Sequence, residues 1–155
     1  MHIRAATLQD AAEICVVLHR SITELCVADH ENDPQKLGQW LTNKTEDNLA
    51  KWIAQQGQAY FVAIIGDTIA GVGAVSLTTG ILLNYVTPDY QYRGVSKAIM
   101  VALEGWLLEQ KQRCSRLSST VTARRFYESL GYRPDEDAGA GSASNASFPM
   151  VKRLQ

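Results

Sequence analysis

Residues 82–97 read LLNYVTPDYQYRGVSK, and this stretch decides the fold because it changes from strand to helix within a few residues. The apolar run at residues 81–86 predicts a strand buried at the centre of a sheet. Pro88 ends that strand, since proline cannot donate to a central ladder. From Gly94 onward, apolar residues recur at helical spacing. We therefore predict a central strand, a turn at residues 91–96 and a long helix.

The turn at residues 91–96 has the properties of an anion site. The first amides of a helix lack intrahelical partners, and the helix dipole places about half a positive charge there. Gly94 would let the backbone approach a phosphate without an intervening Cβ, while Arg93 and Lys97 would add positive charge. A plain strand-to-helix turn explains the same residues, so the local pattern leaves both interpretations open.

The chain before this stretch predicts helices followed by a hairpin. A short strand at residues 3–4 precedes a capping box at residues 7–10, and three amphipathic helices follow. Residues 60–65 and 68–77 are rich in β-branched and aromatic side chains, and the Gly66-Asp67 link between them is typical of a hairpin. The buried faces of the three helices are expected to carry Ala11, Ile14, Leu18, Ile22 and Leu25, then Leu37, Trp40 and Leu41, then Leu49, Trp52 and Ile53.

The chain after the long helix returns to strands. The pattern predicts a short strand at residues 116–119 and a helix that stops at Gly131. A Gly/Ala/Ser-rich loop at residues 138–147 leads to a closing strand at residues 147–154. With no repeat and no linker, we expect one α+β domain over residues 1–155.

Composition excludes several classes of protein. A net charge of -1 gives no reason to expect a nucleic-acid or membrane partner. Three cysteines without a close pair argue against a disulfide framework or a zinc site. The first residues lack the apolar run of a signal peptide, and no stretch approaches a membrane span. We therefore expect a cytoplasmic protein.

The sequence does not support the other common binding motifs. The pair Gly71 and Gly73 lies inside a predicted strand and opens no helix, so a dinucleotide site is not indicated. The sequence contains no nucleoside-triphosphate loop and no serine-hydrolase elbow. His2, His19 and His30 lack the spacing of metal ligands.

Four segments, taken in order, resemble the GNAT superfamily of N-acetyltransferases. Residues 82–104, LLNYVTPDYQYRGVSKAIMVALE, are similar to its acetyl-CoA-binding segment, whose Arg/Gln-x-x-Gly-x-Gly/Ala pattern falls on Gln91, Gly94 and Ser96. Residues 119–132, STVTARRFYESLGY, resemble its second signature, Ala-x-x-Phe-Tyr-Glu-x-x-Gly-Phe/Tyr. The opening IRAATLQDAAEICVVL and the closing FPMVKRL are similar to its first and last elements. The resemblance covers nearly the whole chain.

This resemblance implies a fold, a donor and an acceptor. The fold is a mixed, mostly antiparallel central sheet with a splayed central strand, flanked by helices. The donor is acetyl-CoA, no metal is needed, and the acceptor is a primary amine of a small molecule or peptide. The oligomeric state stays open, and exposed edge strands are compatible with a homodimer.

The resemblance also implies site residues. Tyr127 matches the tyrosine that often faces the sulfur as general acid, although Tyr127 also belongs to an apolar helical stripe typical of a core. The Val86 amide is the expected donor to the thioester oxygen, and the pyrophosphate is expected on the amides of residues 92–97. The expected cofactor-binding residues are Tyr85, Val86, Thr87, Gln91, Tyr92, Arg93, Gly94, Val95, Ser96, Lys97, Ala123 and Phe126.

The chain departs from the family pattern at three places. Ser96 stands where Gly or Ala is usual, and Thr120 where Asn is frequent. Residues 79–81 provide no glutamate at the start of the central strand, where some members carry their base. A backbone-held water, Asn84 or Tyr85 remain as candidates for the base.

The acceptor site is expected between the first helices. Asp29, His30, Glu31 and Asp33 form an acidic stretch that would attract a cationic amine, and a solvated loop explains the same charges. Two other functions stay open. One is a non-catalytic acyl-CoA-binding or regulatory domain on the same fold. The other is an unrelated α+β domain in which the turn at residues 91–96 is only structural.

Overall fold

A computed structural model describes residues 1–137 and 148–155. The strands form two sheets. The first is antiparallel, in the order β1 (His2–Ala5), β2 (Gln58–Ile65), β3 (Thr68–Ser76) and β4 (Gly80–Val86). The second has the order β5-β7-β6, where β5 is Cys114–Ser119, β6 is Arg133–Pro134 and β7 is Phe148–Arg153.

Six helices flank the sheets within the described ranges. They are α1 (Ala11–Leu25), α2 (Val27–His30), α3 (Pro34–Leu41), α4 (Glu46–Ala54), α5 (Val95–Glu109) and α6 (Arg124–Ser129), with short 3-10 turns at Leu8–Asp10 and Pro88–Tyr90. The predicted α+β fold, with a mostly antiparallel sheet and a splayed central strand, is confirmed.

Local polar contacts fix where several helices begin. The Thr7 amide donates to Asp10 Oδ2 at 2.7 Å, as the predicted capping box requires. Arg4 binds the same carboxylate at 2.8 Å and is the main reason that the Asp10 pKa falls to about 2. Asp33 caps α3 and Thr45 caps α4, each by accepting a backbone N–H.

Each face of the first sheet carries its own core. On one face, α1 and α4 pack over Val62, Val72 and Ala74. On the other face, α5 and α6 pack over Ala63, Ala70 and other side chains of the two sheets. Strand β3 is therefore buried along its whole length after Thr68. The predicted apolar face of α1 is buried except for the half-buried Leu25, and α4 buries Leu49 with Trp52 and Ile53 half-buried. The expected buried face of α3 is wrong, because this short helix lies at the surface and its Leu37, Trp40 and Leu41 are only half-buried.

The glycine pair of β3 has a packing role. A Cβ built on Gly73 would lie 2.2 Å from Ile99 Cγ2, and one built on Gly71 would lie 2.8 Å from Val95 Cγ1. Both contacts are shorter than van der Waals distance, so only glycine lets α5 lie this close to the sheet. The pair therefore sets the position of the first two turns of α5.

Strands β4 and β5 meet at one end and separate at the other. Gly80 has a φ of 94°, and a Cβ there would lie 2.2 Å from the Arg116 carbonyl oxygen. Beyond this point the described residues form two sheets, with no ladder between β4 and β5. Gly80 thus marks the vertex of a V-shaped opening that widens toward Val86.

The structure adds detail that the sequence pattern did not predict. The first helix begins as a 3-10 turn, α2 is a separate short helix, and the two-residue β6 pairs with β7. The strand predicted at residues 116–119 starts earlier, at Cys114. The loop predicted at residues 138–147 lies outside the described residues. Among residues 1–137 and 148–155, no helix has the length and apolar character needed to cross a bilayer.

We expect Gly73→Ala to lower the free energy of unfolding by about 1–3 kcal/mol, because the new methyl group would push α5 away from the sheet. Gly105→Ala, a substitution within α5 itself, is the matched control. A Cβ on Gly105 meets nothing within 4 Å, so helix propensity should raise the stability by up to about 1 kcal/mol. Urea unfolding of both variants checks this, and equal stabilities would contradict the packing role.

Candidate active site

A cavity of about 320 Å³ fills the opening between β4 and β5. Four parts of the chain line it: the end of α1, strand β4, the turn that leads into α5, and the segment from β5 to α6. The lining residues that the site description uses are Ser21, Cys26, Asn84, Tyr85, Val86, Gln91, Tyr92, Gly94, Ser96, Lys97, Thr120, Ala123, Phe126 and Tyr127.

The turn before α5 has an alternating backbone. Tyr92 has a φ of 64° and Gly94 a φ of 77°, whereas Arg93 between them is not left-handed. Alternating residues of this kind turn successive amides toward one concave side, which is the geometry of an anion nest. A left-handed tyrosine is strained, and its side chain is 94% exposed. Such strain is a feature of ligand-binding turns.

The N-terminus of α5 adjoins this turn. Its first intrahelical bond runs from the Ala98 amide to the Gly94 carbonyl oxygen at 3.1 Å, which leaves the preceding three amides without intrahelical acceptors. Val95 is buried, so its packing holds the turn in place, while Ser96 and Lys97 line the cavity. The turn and the helix end together form a site suited to a phosphate group.

The outer edge of β4 faces the cavity. The Thr87 amide donates to the Ala70 carbonyl oxygen at 2.8 Å, so these two residues form a hydrogen-bonded pair of the ladder. Bonded and non-bonded pairs alternate in an antiparallel ladder. The next pair, Val86 opposite Gly71, is therefore non-bonded, and Val86 directs its N–H and C=O away from β3. This free edge offers a donor and an acceptor to an extended ligand.

Tyr127 lies on the far wall of the cavity. It projects from α6, is 7% exposed and packs its ring against Phe126 and Tyr132. Burial raises the pKa of its hydroxyl to about 12, although the polar Asn84 side chain acts in the opposite direction. Tyr127 is therefore a protonated donor at neutral pH.

The end of α1 forms the opposite mouth of the cavity. Ser21 and Cys26 line it, and burial raises the pKa of the Cys26 thiol to about 12. Burial also raises the pKa of the Tyr85 hydroxyl. Trp40 is half-buried and contacts the buried His30 ring edge-on.

The acidic stretch between α1 and α3 has a structural role. Asp29 is 8% exposed, and its carboxylate accepts from the Val121 and Thr122 amides at 2.6 and 3.1 Å and from the Thr122 hydroxyl. Glu31 pairs with Lys36 at 3.1 Å, and Asp33 caps α3. The carboxylate of Asp29 therefore holds the turn between β5 and α6 against α2 instead of facing a cationic acceptor.

Most of the sequence-predicted site residues lie together on this cavity. Thr87 and Arg93 do not: Thr87 is buried with its amide bonded to Ala70, and Arg93 lies over the Tyr90 ring, 5.4 Å from its centroid. The sequence interpretation missed Ser21 and Cys26, whose helical spacing gives no sign of a cavity. In the described ranges, no three His, Cys, Asp or Glu side chains gather as metal ligands.

A family model described as an acetyltransferase (GNAT) domain matches residues 27–154 of this chain. The chain belongs to the GNAT acetyltransferase family. An unrelated α+β domain is therefore excluded. A search of the curated proteins found no match.

Solved GNAT structures share the fold over the whole chain. The PaiA N-acetyltransferase of Thermoplasma acidophilum, solved with coenzyme A, has a TM-score of 0.85 at 15% identity, covering 99% of this chain and 98% of that one. A GCN5-related N-acetyltransferase of Rhodopseudomonas palustris has a TM-score of 0.84 at 22% identity, covering 99% and 95%. An aminoglycoside 6'-N-acetyltransferase complexed with coenzyme A has a TM-score of 0.70 at 12% identity, covering 99% and 97%. At these identities the likeness shows the fold alone.

Asp29→Ala should destabilise this GNAT domain by about 2–3 kcal/mol, because three donors at the turn between β5 and α6 lose their acceptor. Asp33→Ala is the control, since it removes only an exposed helix cap worth about 1 kcal/mol. Thermal unfolding of both variants provides the comparison. A smaller loss for Asp29→Ala than for Asp33→Ala would show that the carboxylate does not hold this turn.

Proposed function

We propose that this protein transfers an acetyl group from acetyl-CoA to a primary amine of a small molecule or peptide, by direct attack within a ternary complex. One observation carries the proposal: an anion nest, the free edge of β4 and a protonated tyrosine hydroxyl line the same cavity. These are the three kinds of contact that a pyrophosphate, a pantetheine arm and a thioester sulfur require.

The donor would lie along the opening between β4 and β5. Its pyrophosphate would accept from the amides of residues 92–97, with Lys97 adding positive charge. Its pantetheine arm would pair with the free edge of β4, where the outward Val86 amide is suited to polarise the thioester carbonyl. Gln91, Ala123 and Phe126 provide further cavity wall.

The transfer needs a neutral amine and a stabilised leaving thiolate. The amine nitrogen attacks the thioester carbonyl carbon, the C–N bond forms, the C–S bond breaks, and the amine proton leaves to solvent while the thiolate is stabilised. With a pKa of about 12 for Tyr127, complete proton transfer to a thiolate of pKa about 8.5 is uphill by about 5 kcal/mol. Tyr127 therefore acts by hydrogen-bonding the developing thiolate.

The state of Cys26 favours direct transfer over a covalent acetyl-enzyme. A cysteine nucleophile acts as its thiolate. The Cys26 thiol lies in the cavity wall, yet burial, with Asp29 nearby, raises its pKa to about 12. Cys26 thus stays a neutral thiol at neutral pH.

A non-catalytic acyl-CoA-binding domain is the second candidate. Gly80 favours it, because the vertex of the opening has no room for a side chain at the start of β4, where some family members carry a glutamate base. The acceptor, the cytoplasmic location, the absence of nucleic-acid, membrane and metal partners, and a homodimer stay predictions from the sequence.

We expect amine-dependent release of CoA thiol when the protein is screened with acetyl-CoA and a panel of primary amines and peptides. Tyr127→Phe should slow the release by at least about tenfold, because the hydrogen bond to the leaving group is lost. Its affinity for CoA, measured by calorimetry, should stay within about threefold of that of the wild type.

Tyr132→Phe is the matched control for Tyr127→Phe. The Tyr132 hydroxyl donates to Glu104, accepts from the Ser115 hydroxyl and does not line the cavity, so its loss should leave the rate per folded molecule unchanged. An unchanged rate in Tyr127→Phe would disprove the role of Tyr127. Tight CoA binding without release for any amine would favour the non-catalytic domain.

A further inference from the structure

A second cavity, of about 300 Å³, lies on the α1 and α4 side of the first sheet. The connection between α3 and α4, helix α4 and the starts of β2 and β4 enclose it. Its walls include Lys44, Trp52, Tyr60, Leu82 and Leu83. Among the described residues that line it, none is an aspartate or a glutamate. The second cavity therefore combines an apolar wall with one cationic side chain.

Lys44 brings a half-buried ammonium group to the second cavity. Its Nζ donates to the Trp40 carbonyl oxygen at 3.2 Å and to Asn43 Oδ1 at 2.9 Å, both neutral acceptors. An ammonium has a further N–H to donate. In residues 1–137 and 148–155, no carboxylate lies within ion-pair distance of Lys44. Burial lowers the pKa of Lys44, so an anion bound beside it would replace the lost hydration.

Two more side chains with hydrogen-bond donors line the second cavity. Tyr60 is 6% exposed, yet its hydroxyl makes no hydrogen bond to any described residue. Buried tyrosine hydroxyls usually have a partner, and burial raises the pKa of this one to about 12, so it stays protonated. The Trp52 indole N–H also has no acceptor in the described ranges. Unused donors around an ammonium group, with no carboxylate among them, suit a bound carboxylate.

The second cavity adjoins the cavity of the candidate active site along β4. Leu82 and Leu83 line both of them. Leu82 has no partner in the ladder between β3 and β4, which marks a β-bulge, and a bulge redirects the side chains around it. From Leu83 to Val86, where the thioester carbonyl would lie, the strand advances by about 10 Å. A molecule lying along β4 would thus reach both cavities if its two ends were this far apart.

We propose that the second cavity binds a carboxylate of the amine acceptor and that Lys44 is the residue that selects it. The proposal rests on the proposed function and deepens it, because it names the acceptor class: a primary amine with a carboxylate about 10 Å away. A tripeptide has this length, since an extended chain spans about 3.3–3.6 Å per residue. Trp52, Leu82 and Leu83 provide an apolar wall for the side chain next to the carboxylate. An acceptor whose far end is cationic would be repelled by Lys44.

The peptide Gly-Gly-Leu and its C-terminal amide are matched acceptors that differ only in the carboxylate. In the thiol-release assay, kcat/KM for the acid should exceed that for the amide by at least about tenfold. Lys44→Met removes the charge and nearly keeps the side-chain length. It should bring the ratio to within about threefold of one, mainly by raising KM for the acid. Lys51→Met is the control, since Lys51 is an exposed residue of α4 outside the second cavity, and it should keep the wild-type ratio.

Tyr60→Phe tests the second cavity without changing its charge. The substitution should raise KM for Gly-Gly-Leu by about threefold or more, because one donor to the carboxylate is lost. The Tyr60 hydroxyl has no partner among the described residues, so this variant should unfold in urea at a concentration no lower than that of the wild type. Equal kcat/KM values for the acid and the amide in the wild-type protein would overturn the proposal. So would a wild-type ratio in Lys44→Met.

A readout without turnover keeps this test separate from that of the proposed function. Calorimetric titration of the intact protein with each peptide, in the presence of CoA, should show that the acid binds at least about tenfold more tightly than the amide. Lys44→Met should abolish this preference. If no amine is acetylated but the preference is present and depends on Lys44, the proposed function fails and the carboxylate site stands. If both peptides are acetylated equally well, the proposed function stands and the carboxylate site fails. Absence of binding by the acid also overturns the site.

Discussion

The close approach of α5 to β3 over two glycines is the constraint on which the rest of the site depends. A side chain at Gly71 or Gly73 would collide with Val95 or Ile99 and lift the helix from the sheet. In the observed position, α5 begins beside the end of β4, and its unpaired amides open onto the cavity. Packing in the core thus determines where positive electrostatic potential is available to a ligand.

Because β4 separates from β5, the unpaired edge of β4 is available as a binding surface. An unpaired strand edge normally invites association with another strand. Here the strands touch at Gly80 and diverge, so the free edge of β4 lines a cavity instead of the outer surface. Asp29 fixes the opposite side of the opening by holding the turn that precedes α6. The width of the cavity is therefore set by one glycine and one buried carboxylate.

The sequence predicted the elements near the site better than the contacts between them. The apolar run, Pro88 and Gly94 are local signals, and they placed β4, the turn and α5 correctly. The resemblance at residues 119–132 added Tyr127, whose helical stripe alone indicates a core residue. By contrast, the role of Gly71 and Gly73 depends on a helix far along the chain, and no local pattern reveals it.

Local sequence patterns also failed to reveal the contacts of Asp29, Thr87 and Arg93. Asp29 was interpreted from its acidic neighbours, whereas its partners Val121 and Thr122 are distant in sequence. Thr87 and Arg93 match the family segment, but ladder alternation and the Tyr90 ring direct them away from the cavity. Such assignments depend on register and long-range packing, which only the folded chain defines.

We propose that the amides of residues 92–97 and of Val86 hold CoA in the opening between β4 and β5. An amide NMR titration of the intact protein with CoA is the sharpest test. We expect these amide resonances to shift together as CoA is added, while amides in the middle of α4, on the opposite face of the sheet, stay in place. Shifts confined to residues outside the cavity, with those of 92–97 and Val86 unmoved, would contradict it.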